Sequence, residues 1–170
     1  MVTPLPALTI GTASDDSIGN GNAWVYGPNS ITVTANLIAF IPFRLSTPIV
    51  VRRLWIANGT VVSGNVDLGV YDAKGTLLVS TGSTPQANTS TIQFIDVDDV
   101  IIGPGQFYLA VVIDNATGTI MCGEMGAQLN TILGIAGQVS TFPLPATATL
   151  ASALSTAAYE PHIGLTGYAA

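Results

Sequence analysis

Charge is what this chain has least of. Only 8% of its 170 residues are charged, where soluble domains average roughly 25%. The cations are Arg44, Arg52, Arg53 and Lys74, set against ten acids for a net charge of −6. Nucleic-acid binding rests on many Lys and Arg contacts to phosphate, so neither DNA nor RNA is expected as a partner. An anionic membrane surface is excluded for the same reason. There is one cysteine, Cys122, and one histidine, His162. A single cysteine can form no disulfide within the chain and reads as a small buried apolar residue. A nucleophile would have one imidazole to draw on, and no Ser sits in a Gly-x-Ser-x-Gly elbow. No His/Cys spacing suits zinc, and no Gly-rich stretch opens a helix that would cradle phosphate. The residues therefore point away from an enzyme and imply no cofactor. Apolar runs such as "YLAVVI" (108–113) have strand length and fall far short of the ~20 residues of a spanning helix. The stretch "MVTPLPALTI" has no basic region and is not read as a secretory signal.

What replaces charge is neutral polarity: 20 Thr, 11 Ser, 9 Asn and 5 Gln beside 48% hydrophobic residues. Such a chain has the apolar content to bury a core, and disorder is excluded for most of its length. A surface of hydroxyls and amides desolvates cheaply, because no ion hydration is lost. Two readings stay open: an exterior covered by other chains, or a robust β-protein with a Thr-rich face.

The patterning is that of strands. "ITVTANLIAFIPFRL" (31–45) alternates apolar and polar residues, with Pro42 marking an edge, a bulge or a break. "PIVVRRLWIANGT" (48–60) places Val51, Arg53, Trp55 and Ala57 on one face and Val50, Arg52, Leu54 and Ile56 on the other. An arginine near the start of each face predicts deeper burial toward that strand's end. "VDLGVYDAKGTLLVSTG" (66–82) is a hairpin, with Asp72-Ala73-Lys74-Gly75 as its turn. "TIQFIDVDDVIIGPGQFYLAVVIDN" (91–115) supplies two strands around Gly-Pro-Gly, and "GTIMCGE" (118–124) a shorter one. "EPHIGLTGYAA" (160–170) reads as a terminal strand. Residues 11–30 read as a loop or arm, and 124–160 as an extended packed loop with at most a short helix. About seven to nine strands with no convincing long helix predict an all-β, antiparallel two-sheet β-sandwich.

Candidate sites are few. "DVDD" holds Asp96, Asp98 and Asp99, which could offer oxygens to Ca²⁺ from a loop or solubilise a strand end. Asp15-Asp16 is a second acidic pair. Among aromatics, Trp55 and Tyr108 lie in apolar strands and are expected in the core. Trp24 and Tyr26 lie in the arm, on one side if it is extended. With Tyr71 they are the candidates to stack on a sugar or anchor a neighbouring subunit. Three Asn-x-Ser/Thr sequons, at Asn58, Asn88 and Asn115, are near chance in this composition and are read as carrying no glycan.

The hairpin 66–82, followed by "IIGPGQFYLAVVID" (101–114) and closed by "PHIGLTG" (161–167), resembles a jelly-roll module of tailed-bacteriophage virion proteins. These are capsid decoration or cement proteins, head fibres and tail-fibre domains. Similar strands occur in carbohydrate-binding β-sandwich modules. The resemblance covers about residues 31–123 and the last ten, and it carries no catalytic residues. It implies an N-terminal arm (1–30) and a single jelly-roll-like domain (31–170). It further implies a homo-oligomer, with threefold symmetry expected, on the exterior of the capsid. The major capsid protein or other virion proteins would be the partners, contacted through 1–30 and 124–160. Synthesis would be in the host cytoplasm, without a signal peptide. The lack of a collagen-like or coiled-coil stalk favours a compact capsid-bound protein over a fibre tip. The alternative is a glycan-binding module in a tail receptor-binding protein or sugar-degrading system.

Overall fold

The computed structural model describes residues 16–19, 28–124, 133–150 and 159–170. In chain order its strands are β1 (Asp16–Gly19), β2 (Pro28–Thr32), β3 (Leu37–Leu45), β4 (Ile49–Ala57), β5 (Asn65–Asp72), β6 (Leu77–Ser80) and β7 (Thr84–Pro85). These are followed by β8 (Ile92–Ile102), β9 (Gly105–Ile113), β10 (Thr119–Glu124), β11 (Ala136–Val139), β12 (Tyr159–Pro161) and β13 (Ile163–Ala169). The fold is the all-β antiparallel sandwich that the patterning predicts. One layer is the sheet β11-β3-β9-β5-β6, with β7 also on β5. The other consists of β1-β13-β4-β8 and β12-β10-β2. His162 joins these last two sheets through its backbone. Its N–H donates to the Met121 carbonyl of β10, and its carbonyl accepts from Ala57 of β4, each at 2.9 Å. β13 lies over β9, β4 over β5, and β8 over β6.

Between the layers sits the main core, with Leu54, Ile56, Val66, Leu68, Val70, Leu109, Val111 and Leu165 among its members. Burying each such side chain is worth about 1.5–3 kcal/mol. The strand readings need three corrections. First, residues 31–45 form two strands, because the chain turns at Asn36, whose φ is 61°. Pro42 does stand at an edge. β11 pairs with β3 only from Leu37 to Phe40, so the missing N–H of Pro42 costs no bond on that side. Second, the stretch read as an arm contributes to both sheets of one layer: β1 pairs with β13, and β2 with β10.

Third, the two faces of β4 exchange partway along it. Ile49 and Val51 point into the core, and so do Leu54 and Ile56. A bulge at Arg52 makes the switch. The register against β13 slips between Val51 and Arg53, and β8 slips at the same level, pairing Asp96 with Arg53 but Val100 with Val51. An inserted residue reverses the inside/outside phase beyond it. Strand β4 is therefore buried at both ends, and its arginines stand outward, Arg52 exposed and Arg53 half-buried.

The six-stranded sheet is also covered on its outer face. Ile38, Phe40, Tyr71, Ala110, Val112, Ala136 and Leu144 form a second core there, with Phe142, Ala148 and Leu150 packed on it. The cover is a strap of chain, 140–150, extended and packed as expected within 124–160, whereas Ala136–Val139 of the same stretch, read as loop, forms strand β11 against β3. Asn36 accepts from the Ser140 and Phe142 amides, through its carbonyl and its Oδ1. The hairpin holds the other half. Asp67 is 1% exposed. Its Oδ2 accepts from the Leu144 amide at 2.9 Å, and its Oδ1 from Ser80 Oγ at 2.6 Å and Thr81 Oγ1 at 3.2 Å. Tyr71 Oη donates to the Pro145 carbonyl at 2.6 Å. Ala146 accepts from the Leu77 amide, and Ala148 donates to the Gly75 carbonyl. Gly75 has a φ of 84°, and a Cβ there would collide with the Ala148 carbonyl oxygen. The turn residue is thus fixed by the strap as well as by the turn.

Replacing Asp67 by Ala leaves the Leu144 amide and the Ser80 hydroxyl without their acceptor, while Thr81 Oγ1 keeps the Gly82 carbonyl at 3.2 Å. Asp67→Ala is expected to lose about 2–4 kcal/mol of unfolding free energy in urea titration. Asp98→Ala, on the exposed side of β8, is expected to stay within about 0.5 kcal/mol of the parent.

Candidate functional site

The acidic cluster lies on strand β8, where a loop was expected. Up to Val97 the odd-numbered side chains of β8 pack on the core, and from Val100 the even-numbered ones do. The two residues at the phase change, Asp98 and Asp99, are both exposed. Asp96 accepts from Arg53 Nε at 2.7 Å, and Asp99 lies 3.7 Å from Arg52 Nε. The Arg52 guanidinium also sits 6.0 Å from the Tyr168 ring centroid, and Tyr168 Oη lies 3.4 Å from Asp99 Oδ2. Two of the three candidate calcium ligands therefore face arginines. Among the described residues no three His, Cys, Asp or Glu side chains converge on a metal position. Asp98 has no ion pair or hydrogen bond among the described residues.

Around these charges the outer side of β4 and β8 is apolar. Phe94 is 54% exposed, Ile92 46% and Ile101 67%. Across the strand pair, Phe94 faces Trp55 and Ile92 faces Ala57. Trp55 is half-buried rather than core, and Tyr108 is half-buried against the second core. Tyr71 is not available to a sugar or a neighbouring subunit. It is fully buried, packs edge-on to Phe40 at 5.3 Å, and its hydroxyl is committed to the strap. Burial, and then the charge of Asp67, push its phenol well above the ordinary tyrosine range. Trp24 and Tyr26 lie outside the described residues.

The groups that could do chemistry are inside. Cys122 is fully buried, and burial together with the Glu160 charge raises its thiol far above the ordinary value. A thiol so placed is held protonated and is a poor nucleophile. It packs in the main core, as its reading from sequence requires. Glu160 and His162 are 3% and 7% exposed. Two polar features were not anticipated from sequence. Asp67 is one. The other is the amide cluster at the junction of the sheets, where buried Gln86 donates to Asn58 Oδ1 at 3.0 Å and to the Thr119 carbonyl at 2.8 Å. The only signal for either was a polar residue inside or beside an apolar strand. Buried Asn58 lies within the first of the three sequons.

Comparisons with protein-family models, with curated proteins and with solved structures return no match for this chain.

Burial lowers the pKa of His162, the only histidine, below its ordinary 6.5. The unfolded chain therefore takes up that proton first as pH falls. The stability tied to a neutral His162 is complete above pH 6.5 and is lost as pH drops through the folded-state value. Asp72, held down chiefly by the Thr76 amide, and Asp114, held down chiefly by the Asn115 side chain, act in the same direction below the ordinary carboxylate value of 3.8. Above the carboxylate range, where His162 alone contributes, unfolding free energy should decline below pH 6.5 with a slope no steeper than about 1.4 kcal/mol per pH unit. His162→Gln, followed by urea titration across pH 5–7, is expected to flatten that decline.

Proposed function

We propose that this chain is a non-enzymatic structural component of a tailed-bacteriophage virion, a capsid decoration or cement protein that bridges neighbouring shell subunits. The observation that carries the reading is the outer side of β4 and β8. Phe94, Ile92, Ile101 and Tyr168 stand exposed around paired charges, on a chain with few charges elsewhere. Such a face loses little hydration on being covered, and large exposed apolar residues grouped on one face mark interaction sites. The burial of Cys122, Glu160 and His162 supports the same reading, because substrate would have no open approach to them. Mechanism is then physical. Copies sit where shell subunits meet, and neutral polar and apolar contacts resist the internal pressure of packaged DNA. The jelly-roll-like hairpin and the capsid exterior as location come from the resemblance to virion modules.

A glycan-binding module is the second reading, favoured by the exposed Phe94 ring beside Trp55. Quantitative mass spectrometry of purified particles from the source separates the two. A copy number comparable to that of the major shell protein is expected. A few copies per particle would place the chain in the tail and favour sugar recognition, and its absence from particles would overturn the virion reading.

A further inference from the structure

We propose that Asn58–Gly59 is a latent deamidation site, shielded by the fold, whose conversion in the unfolded chain blocks refolding. Asn followed by Gly is the pair that loses its side-chain amide most readily, because Gly has no Cβ to hinder the next backbone nitrogen. Packing nevertheless demands both residues here. Gly59 is buried, and a Cβ on it would collide with the Thr119 and Ser30 side chains. Those two are fixed in turn. Ser30 Oγ donates to Thr119 Oγ1 at 3.0 Å and accepts from the Thr60 amide at 2.9 Å, and Thr119 Oγ1 accepts from the Val61 amide at 2.9 Å. Asn58 is 0% exposed. Its Nδ2 donates to the Ala87 carbonyl at 2.6 Å and to Gln93 Oε1 at 2.9 Å, and its Oδ1 accepts from Gln86 Nε2 at 3.0 Å.

Deamidation begins with attack of the Gly59 nitrogen on Asn58 Cγ. The nitrogen gives its proton to solvent, the new N–Cγ bond closes a succinimide, and the Cγ–Nδ2 bond breaks to release ammonia. Water then opens the ring to aspartate or isoaspartate, one water entering for each ammonia that leaves. In the fold neither reacting group is free. The Gly59 N–H donates to the Thr119 carbonyl at 2.9 Å, the Gly59 carbonyl accepts from the Ser90 amide at 2.7 Å, and the Asn58 N–H donates to the Thr91 carbonyl at 2.9 Å. Reaction therefore requires this junction to open first. The product does not fit back. Aspartate would set a carboxylate oxygen against two acceptors, the Ala87 carbonyl and Gln93 Oε1, and would bring a negative charge to a fully buried position. Gln93 would lose two bonds by turning its amide, since its Oε1 also accepts from the Ala87 amide and its Nε2 donates to the Pro85 carbonyl. Isoaspartate adds a backbone carbon where Asn58 bridges Ile120 of β10. Unfolding becomes irreversible once the amide is lost, so the native lifetime depends on how seldom the junction opens.

The test incubates the full chain at mildly alkaline pH, native or denatured in guanidinium chloride, and follows Asn58 by peptide mapping, where conversion adds a single dalton. Loss of the Asn58 amide is expected to be at least about a hundredfold slower in the native chain. The denatured samples are then diluted, and the refolded and unrefolded fractions are mapped separately. The refolded fraction is expected to retain asparagine at 58, whatever the state of Asn20–Gly21, the other Asn-Gly pair in the sequence. Asn58→Asp tests the second half without any refolding step. It is expected to reduce the folded-to-unfolded ratio by about tenfold or more, to the point of not folding. Equal rates of loss in the native and denatured chains would overturn the shielding. A refolded fraction as converted at 58 as the unrefolded one, or an Asn58→Asp chain that melts with the parent, would overturn the block to refolding.

Discussion

The buried carboxylate of Asp67 is the contact on which the six-stranded layer depends. A sheet in a sandwich needs only one apolar face, yet this sheet has two. Phe40, Tyr71, Ala110 and Val112 would face water without the strap. An eleven-residue strap with little regular structure has few ladder bonds of its own, and its backbone polar groups must be satisfied where it lies. Asp67 accepts the Leu144 amide at the middle of the strap, and Asn36 and the 75–77 turn take the two ends. The same carboxylate fixes Ser80 at the end of β6 and Thr81 just beyond it, so sheet edge and cover are tied through one side chain.

The other layer solves a different problem. Its strands β4 and β8 change phase at one level, which keeps apolar residues inward along their whole length. The cost is a band of outward charge, and four of those charges face one another in Arg53–Asp96 and Arg52–Asp99. Exposed pairs of this kind contribute little to stability, about 0–1 kcal/mol each. Their consequence lies in what they leave over. Asp98 is the uncommitted acid of that band, and the apolar residues on either side of it are the largest exposed ones on the strand. One layer is thus sealed by its own chain, while the other leaves Ile92, Phe94 and Ile101 exposed.

Much of this was legible in the residues. Alternation in 66–72 and 107–113 located the inner core, and the turn Asp72–Gly75 formed where the Asp and Gly require. Cys122 went to the core, as an isolated cysteine in an apolar strand does. What was hidden is what period-2 patterning cannot carry. The bulge at Arg52 leaves no mark in composition, so the faces of β4 were assigned as if the strand were regular. Tyr71 reads as a ring on a polar face until a distant segment is known to cover that face. Asp67 lies on the same face and was hidden for the same reason. The acidic run looked like a loop because three acids in four residues, Asp96 to Asp99, masked a strand whose core contacts come from Ile95, Val97 and Val100.

Whether the strap is a fixed part of the fold is tested most directly by backbone hydrogen exchange at the Leu144 amide. An amide held by a buried carboxylate should exchange on the timescale of the β5–β9 ladder amides, through cooperative unfolding. Exchange as fast as in an exposed surface loop would mean that the strap opens independently. The outer face of the six-stranded sheet, rather than that of β4 and β8, would then be the principal surface this chain offers to a partner.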